Sequence, residues 1–208
     1  MFFIVGLGNP GEEYINTRHN TGREAVLKLC KNLDFADFEN NNKFKSLISK
    51  GKIKKELVTL ILPETFMNKS GQAISYFVKP KLKTAKKGLE NLIVVHDDLD
   101  LPLGTLKISY NKGTGGHRGL DSVAKAVKTL EFVRVRIGIS PSTAKGRAKK
   151  PNEGLPAQAG EQKVLDFILG KFKPAEMEIL KKTFKKSSEA IQTLILDGRD
   201  RAMNRFNQ

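Results

Sequence analysis

His19 stands in "TRHNTG", beside small polar residues and away from any strand end. An imidazole held by a carboxylate is basic enough to take a proton from water near neutral pH. Asp97, which closes the apolar run "LIVVHD", is the natural partner, because a strand-end carboxylate is rigid and partly buried. Asn9 in "GLGNPG" and Asn68 in "FMNKSG" supply amide N–H groups that could hold a carbonyl or stabilise a developing oxyanion. There is no G-x-S-x-G elbow, and no serine or cysteine stands where this base could activate it. The chemistry indicated is attack by activated water on an acyl group, without a covalent intermediate. Of the other two histidines, His96 points to the opposite side of its strand from Asp97 and reads as structural. His117 reads as a brace for the Gly-rich loop "GTGGHRG" and is left outside the catalytic set.

These side chains need a scaffold that gathers them. "FFIVG" at the start, "NLIVVHDD" and "FVRVRIGIS" read as strands, the first two nearly all apolar as in a sheet covered on both faces. "FKSLISKGKIKKELVTLILP" reads as two strands joined near Gly51 and stopped by Pro63, and "GTLKISY" as a further strand. "REAVLKLCKNL", "NKSGQAISYFVK" and "GLDSVAKAVKTL" have helical spacing. A last helix starts at Pro174, is striped by Leu180, Phe184, Ile191 and Ile195, and is closed by Gly198. Strands alternating with helices give an α/β sheet with helices on both faces, whose carboxyl edge is where such sheets bind ligands. Residues 141–162 lack periodicity and are rich in Pro, Gly, Ala and Lys, which reads as a long mobile basic loop.

Gly6, Gly8 and Gly11 match G-x-G-x-x-G, the dinucleotide turn. That turn needs a helix to begin at its third glycine, with an acidic residue ending a second strand about 20 positions on. Here "EEYINTRHNTG" follows, with two carboxylates where phosphate would sit, and Asp34 follows a helix. A nucleotide-dependent oxidoreductase is therefore disfavoured, and the glycines read as shaping a turn that presents Asn9.

The 208 residues carry 37 Lys and Arg against 22 Asp and Glu, a formal net charge of +15. Such an excess points first to nucleic acid and second to an anionic membrane surface. The single cysteine, Cys30, forms no internal disulfide and fits a reducing cytoplasm. Three histidines without a C-x-x-C argue against a zinc site. No apolar run reaches membrane-spanning length, and no secretory signal pattern opens the chain.

The segments "VGLGNPGEEYINTRHNTG", "PETFMNKSGQA", "HDDLDLPLG", "GTGGHRGL", "VRIGI" and "VLDFILGKF" together resemble the bacterial-type peptidyl-tRNA hydrolases, in the family's order over residues 5–172. The resemblance implies one α/β domain over residues 1–208, a twisted mixed sheet surrounded by helices, monomeric and without metal or cofactor. The implied substrate is peptidyl-tRNA, cleaved at the ester to the 3′-terminal ribose. Carried over, His19 is the general base, Asp97 fixes its tautomer, and Asn9 tells a blocked α-amino group from a free one. Tyr14, Phe66 and Asn68 would line the site for the 3′ end, with Met67 packed beneath. Arg136 and the lysines Lys107 or Lys112 would meet tRNA phosphates. The family's usual G-G-H-N-G has Asn where this chain has Arg118, which keeps a donor and adds charge and reach. A non-catalytic RNA-binding relative of the same fold is the competing reading, disfavoured because His19, Asp97, Asn9 and Asn68 are all present.

Overall fold

A computed structural model describes residues 1–82, 89–143, 146–153 and 156–208, the side chains of 78–82 and 157 excepted. Seven strands form one mixed sheet in these residues. They are β1 (Phe2–Gly6), β2 (Glu39–Asn41), β3 (Ser46–Ile53), β4 (Glu56–Pro63), β5 (Leu89–Pro102), β6 (Leu106–Tyr110) and β7 (Phe132–Ser140). The order across the sheet is β2-β3-β4-β1-β5-β7-β6. The central four, β4-β1-β5-β7, run parallel, while β2–β3, β3–β4 and β6–β7 are antiparallel pairs. The helices are α1 (Thr21–Asn32), α2 (Ser70–Leu82), α3 (Arg118–Val127), α4 (Ala157–Leu169), α5 (Pro174–Leu196) and α6 (Arg199–Phe206).

Period-two alternation explains why the central strands are apolar throughout. Ile4, Leu60, Leu62, Ile93, Val95 and Ile137 pack with Leu29 of α1 and with Leu180, Phe184 and Ile191 of α5. Their neighbours Phe3, Val5, Ile61, Leu92 and Val94 pack the other way, against Ile74 of α2 and Leu120 and Val123 of α3. The α/β architecture with both faces covered is thus as the sequence indicates.

Three local readings change. The β3–β4 hairpin turns at Lys54 and Lys55, since Ile53 pairs with Glu56 and Gly51 pairs with Val58 in mid-strand. Gly51 is a glycine because a Cβ there would lie 2.6 Å from the Phe35 ring, a packing reason that looks like a turn signal in sequence. The segment 141–162 is not one long loop. Ser142 and Ala148 form an antiparallel bridge, and the chain is helical from Ala157. Residues 144–145 and 154–155 fall outside the described ones, and with them that part of the mobile-loop expectation. Finally, Gly198 at φ 86° separates α5 from a further helix, α6, which buries Ala202 and Phe206. Beyond it, Asn207 pairs with the exposed edge of β6. Its carbonyl accepts from Ile108 N at 2.6 Å and its amide donates to Ile108 O at 2.9 Å, closing part of an open sheet edge.

Candidate active site

Strand length makes the site. β1 stops at Gly6, opposite Val95, while β5 runs on and still pairs with β7 at Asp97 and Asp98. Asp97 therefore sits just past the end of β1, and the turn leaving β1 folds over it. Gly11 leads into a single 3-10 turn, Glu12–Tyr14, and a second, Arg18–Asn20, carries His19 into α1. Gly22, at the start of α1, lies so close to β5 that a Cβ would overlap the Val95 carbonyl. Only glycine lets the His19 turn approach the strand bearing Asp97 this closely.

His19 Nδ1 lies 3.1 Å from both Asp97 carboxylate oxygens. Both side chains are buried, His19 being 7% exposed and Asp97 3%. With Asp97 ionised, Nδ1 carries the proton and donates it, which leaves the Nε2 lone pair available. Arg18 anchors this turn from behind. Its guanidinium bonds Glu176 at 3.0–3.1 Å and the Gly170 and Lys171 carbonyls at 3.2 and 3.0 Å, and it stacks over Phe167 and Phe172.

A second imidazole shares the carboxylate. His117 Nε2 is 3.0 Å from Asp97 Oδ1, and the His117 ring lies 5.0 Å from the rings of both His19 and His96. Sequence reading set His117 aside as a loop brace; it is in the cluster as well. The reason lies in topology. β6 runs antiparallel to β7, so the chain leaves Tyr110 at the far end of the sheet, opposite Val133. It then climbs past Arg134, which holds the Gly113 carbonyl at 2.8 Å, and reaches Asp97 only at His117.

Burial alone would raise the Asp97 carboxyl, but the charge and hydrogen bonds of His19 and His117 overcome it and hold the group well below the usual carboxylate range. Burial works against charge on His117 too, and the Asp97 carboxylate more than offsets it, raising that imidazole. His96 is pushed down to about 3 by burial and then by His117, so it is neutral at any working pH. Its Nδ1 donates to the Asp97 carbonyl at 2.7 Å. The structural role read for His96 fits this environment. One potential ligand atom from each of His19, Asp97 and His117 lies within 4.8 Å of the others.

Asn9 is fixed on three sides. Asn20 clamps its backbone, accepting from Asn9 N at 2.8 Å and donating to Asn9 O at 2.9 Å. The Asn9 Oδ1 accepts from Met67 N at 2.8 Å. The amide orientation is thereby set, and Nδ2 has no acceptor among the described residues. Met67 is buried and packs against the start of α3 at Gly119. Phe66 is 56% exposed, Asn68 is exposed in the turn Met67–Lys69, and Tyr14 is half-buried. Arg118 is exposed at the first position of α3. Of the basic candidates, Lys107 is exposed opposite Arg136, and Arg136 Nε bonds Asp98 at 2.6 Å. Lys112 is exposed just beyond the far end of β6, lower on the sheet than the others. Arg18, Asn20 and the role of His117 escaped sequence reading; the run "RHN" was the only local signal for the first two.

A family model described as peptidyl-tRNA hydrolase matches residues 3–208. The chain belongs to the peptidyl-tRNA hydrolase family. It is 40% identical over 208 residues to the peptidyl-tRNA hydrolase of Carboxydothermus hydrogenoformans, covering 100% of this chain and 99% of the relative. It is 38% identical over 207 residues to that of Bdellovibrio bacteriovorus, with both chains fully covered. The crystal structure of peptidyl-tRNA hydrolase from Acinetobacter baumannii superposes with a TM-score of 0.82 at 31% identity, covering 100% of this chain and 94% of that one. The protein is thus a hydrolase with the peptidyl-tRNA hydrolase fold, as the sequence motifs imply. No helix among the described residues is long and apolar enough to cross a membrane.

Proposed function

We propose that this protein hydrolyses the ester joining a peptide to the 3′-terminal ribose of tRNA, with His19 activating water directly. The observation that carries this reading is the contact of His19 Nδ1 with both Asp97 oxygens at 3.1 Å, which leaves the Nε2 lone pair free to take a proton. Water donates its proton to Nε2 as its oxygen attacks the ester carbonyl carbon. The tetrahedral oxyanion is met by amide donors, for which Asn68 is suited. Collapse breaks the bond to the ribose oxygen, which takes the proton from His19 and leaves as the tRNA hydroxyl. Asp97 stabilises the imidazolium between these two transfers.

Asn9 Nδ2 is a fixed donor. A blocked α-amine offers it an amide carbonyl, while a free ammonium offers only further N–H groups. That difference gives a physical basis for sparing ordinary aminoacyl-tRNA. Tyr14, Phe66 and Arg118 would line the approach of the 3′ end, with Met67 as their floor, and Arg118, Lys107, Lys112 and Arg136 would meet phosphates. Arg147 and Lys149, both exposed in the basic segment, extend that surface. We further read residues 1–208 as one cytoplasmic, monomeric catalytic unit. The test is release of labelled amino acid from N-acetylated aminoacyl-tRNA. His19→Ala should lower turnover by roughly 10²–10⁴-fold while tRNA still binds; unchanged turnover removes His19 as the base.

A further inference from the structure

His117 is asked to do two things with one ring. Its Nε2 faces Asp97 Oδ1 at 3.0 Å. Its Nδ1 accepts from Gly119 N at 3.1 Å and Leu120 N at 3.3 Å, so the imidazole is the N-cap of α3. An N-cap acceptor must present a lone pair to the first helical amides. Asp97 favours the charged ring, but a proton on Nδ1 would face both helix amides, so the ring that caps α3 is the neutral one, with its proton on Nε2 donated to the carboxylate. The cap selects the tautomer, and the tautomer makes His117 a donor to Asp97. α3 begins with Arg118, so the same ring also fixes where that guanidinium starts out.

We propose that His117 is a positioning residue for the hydrolysis, orienting Asp97 for His19 through Nε2 while its Nδ1 sets the start of the helix that presents Arg118 to the substrate. The proposal rests on the reading of His19 as base. With one oxygen of Asp97 engaged by His117 and buried, the carboxylate cannot rotate away from His19. The groups facing His117 are Asp97, His19, His96 and Asp98. Asp97 is the only one of them with a hydrogen bond to its Nε2.

Two substitutions separate the halves of the ring. In His117→Asn the amide oxygen can take the place of Nδ1 and keep the cap, but the side chain is too short to reach Asp97. In His117→Gln the amide nitrogen can take the place of Nε2 and keep the donation, while the cap acceptor is displaced. Steady-state hydrolysis of N-acetylated aminoacyl-tRNA across pH, together with thermal unfolding, reads both. For Asn we expect kcat to fall about tenfold or more, KM to hold, and Tm to stay near wild type. For Gln we expect kcat within about threefold of wild type, a raised KM, and a Tm lower by about 2–4 °C. Activity that follows Tm in both variants, or an Asn variant with the kcat of wild type, overturns the proposal and leaves His117 a structural cap. That result would leave the His19 assignment standing, since His19→Ala in the same assay reports on it separately.

Discussion

Replacing Asp97 by asparagine keeps the shape of the side chain and removes its charge, and the geometry says which histidine then suffers. In the wild type two N–H groups, His19 Nδ1–H and His117 Nε2–H, point at one carboxylate. An asparagine has one oxygen to accept and one NH₂ that can only donate. His117 cannot give up its Nε2 proton cheaply, because its Nδ1 already accepts two amides of α3. The asparagine oxygen therefore turns to His117, the NH₂ faces His19, and His19 is driven to the tautomer with its proton on Nε2. That nitrogen can no longer take a proton from water. The size follows from two terms. An imidazolium and a carboxylate about 4 Å apart attract by about 4 kcal/mol at an effective dielectric of 20, some three orders of magnitude in rate. Reversing the tautomer against one hydrogen bond costs about 1 kcal/mol more, about another factor of five. We expect kcat on N-acetylated aminoacyl-tRNA to fall by about 10⁴-fold for Asp97→Asn and less, about 10³-fold, for Asp97→Ala, which imposes no tautomer. Adding His117→Ser, which caps α3 but cannot reach residue 97, should free the asparagine oxygen for His19 and recover about fivefold. A single Asn variant within tenfold of wild type, or a double variant no faster than the single, refutes the reasoning.

Asn9→Asp keeps the bond from Met67 N and exchanges the outward donor for an acceptor; hydrolysis of free aminoacyl-tRNA should rise relative to the N-acetylated form, and an unchanged ratio removes Asn9 as the discriminator. Neutralising Arg118 and Lys112 to Gln should reduce the slope of log affinity against log salt for tRNA by about one to two, and an identical slope places the tRNA elsewhere. His96, depressed to about 3 in the fold, contributes stability that is present above its unfolded value near 6.5 and lost as pH falls toward 3. Between pH 7 and 5 that loss is about 2 kcal/mol. His96→Asn should therefore drop about 4–8 °C less in Tm over this interval than wild type does; parallel Tm curves would contradict a neutral buried imidazole.

The parts of the site that sequence makes legible are those set by chain neighbours. Asp97 follows the apolar run of a strand that must be central, and Asn9 follows a strand stopped by glycine, so both are drawn to the carboxyl edge by pattern alone, although β5 does not end at Asp97 as its sequence suggests but runs on to Pro102. What pattern does not carry is the third dimension. Gly51 looks like a turn because its packing partner, Phe35, is 16 positions away. Helix α4 looks like loop at its start because Ala157–Gln162 has too few apolar residues to show a period, its anchoring contact being Phe167 on Arg18. His117 looks like a turn residue because its value depends on β6 being antiparallel, which no local signal announces.

That dependence points to why one carboxylate serves two imidazoles. By strand alternation Asp97 shares the face of Ile93 and Val95, which packs against α1 and α5, whereas α3 packs on the face of Leu92 and Val94. Inside the sheet the strands would keep the two layers apart. Beyond Gly6 there is no β1 on that side of β5 to separate them, since Leu7 already leaves the strand after bonding Val95 O at 3.0 Å. His19, arriving from the α1 layer, and His117, arriving from the α3 layer, can then meet the same side chain over the end of the shorter strand. The short first strand, rather than any single loop, is what converts two separately packed layers into one site. A β1 extended by two residues over Asp97 would fill the position from which both rings approach.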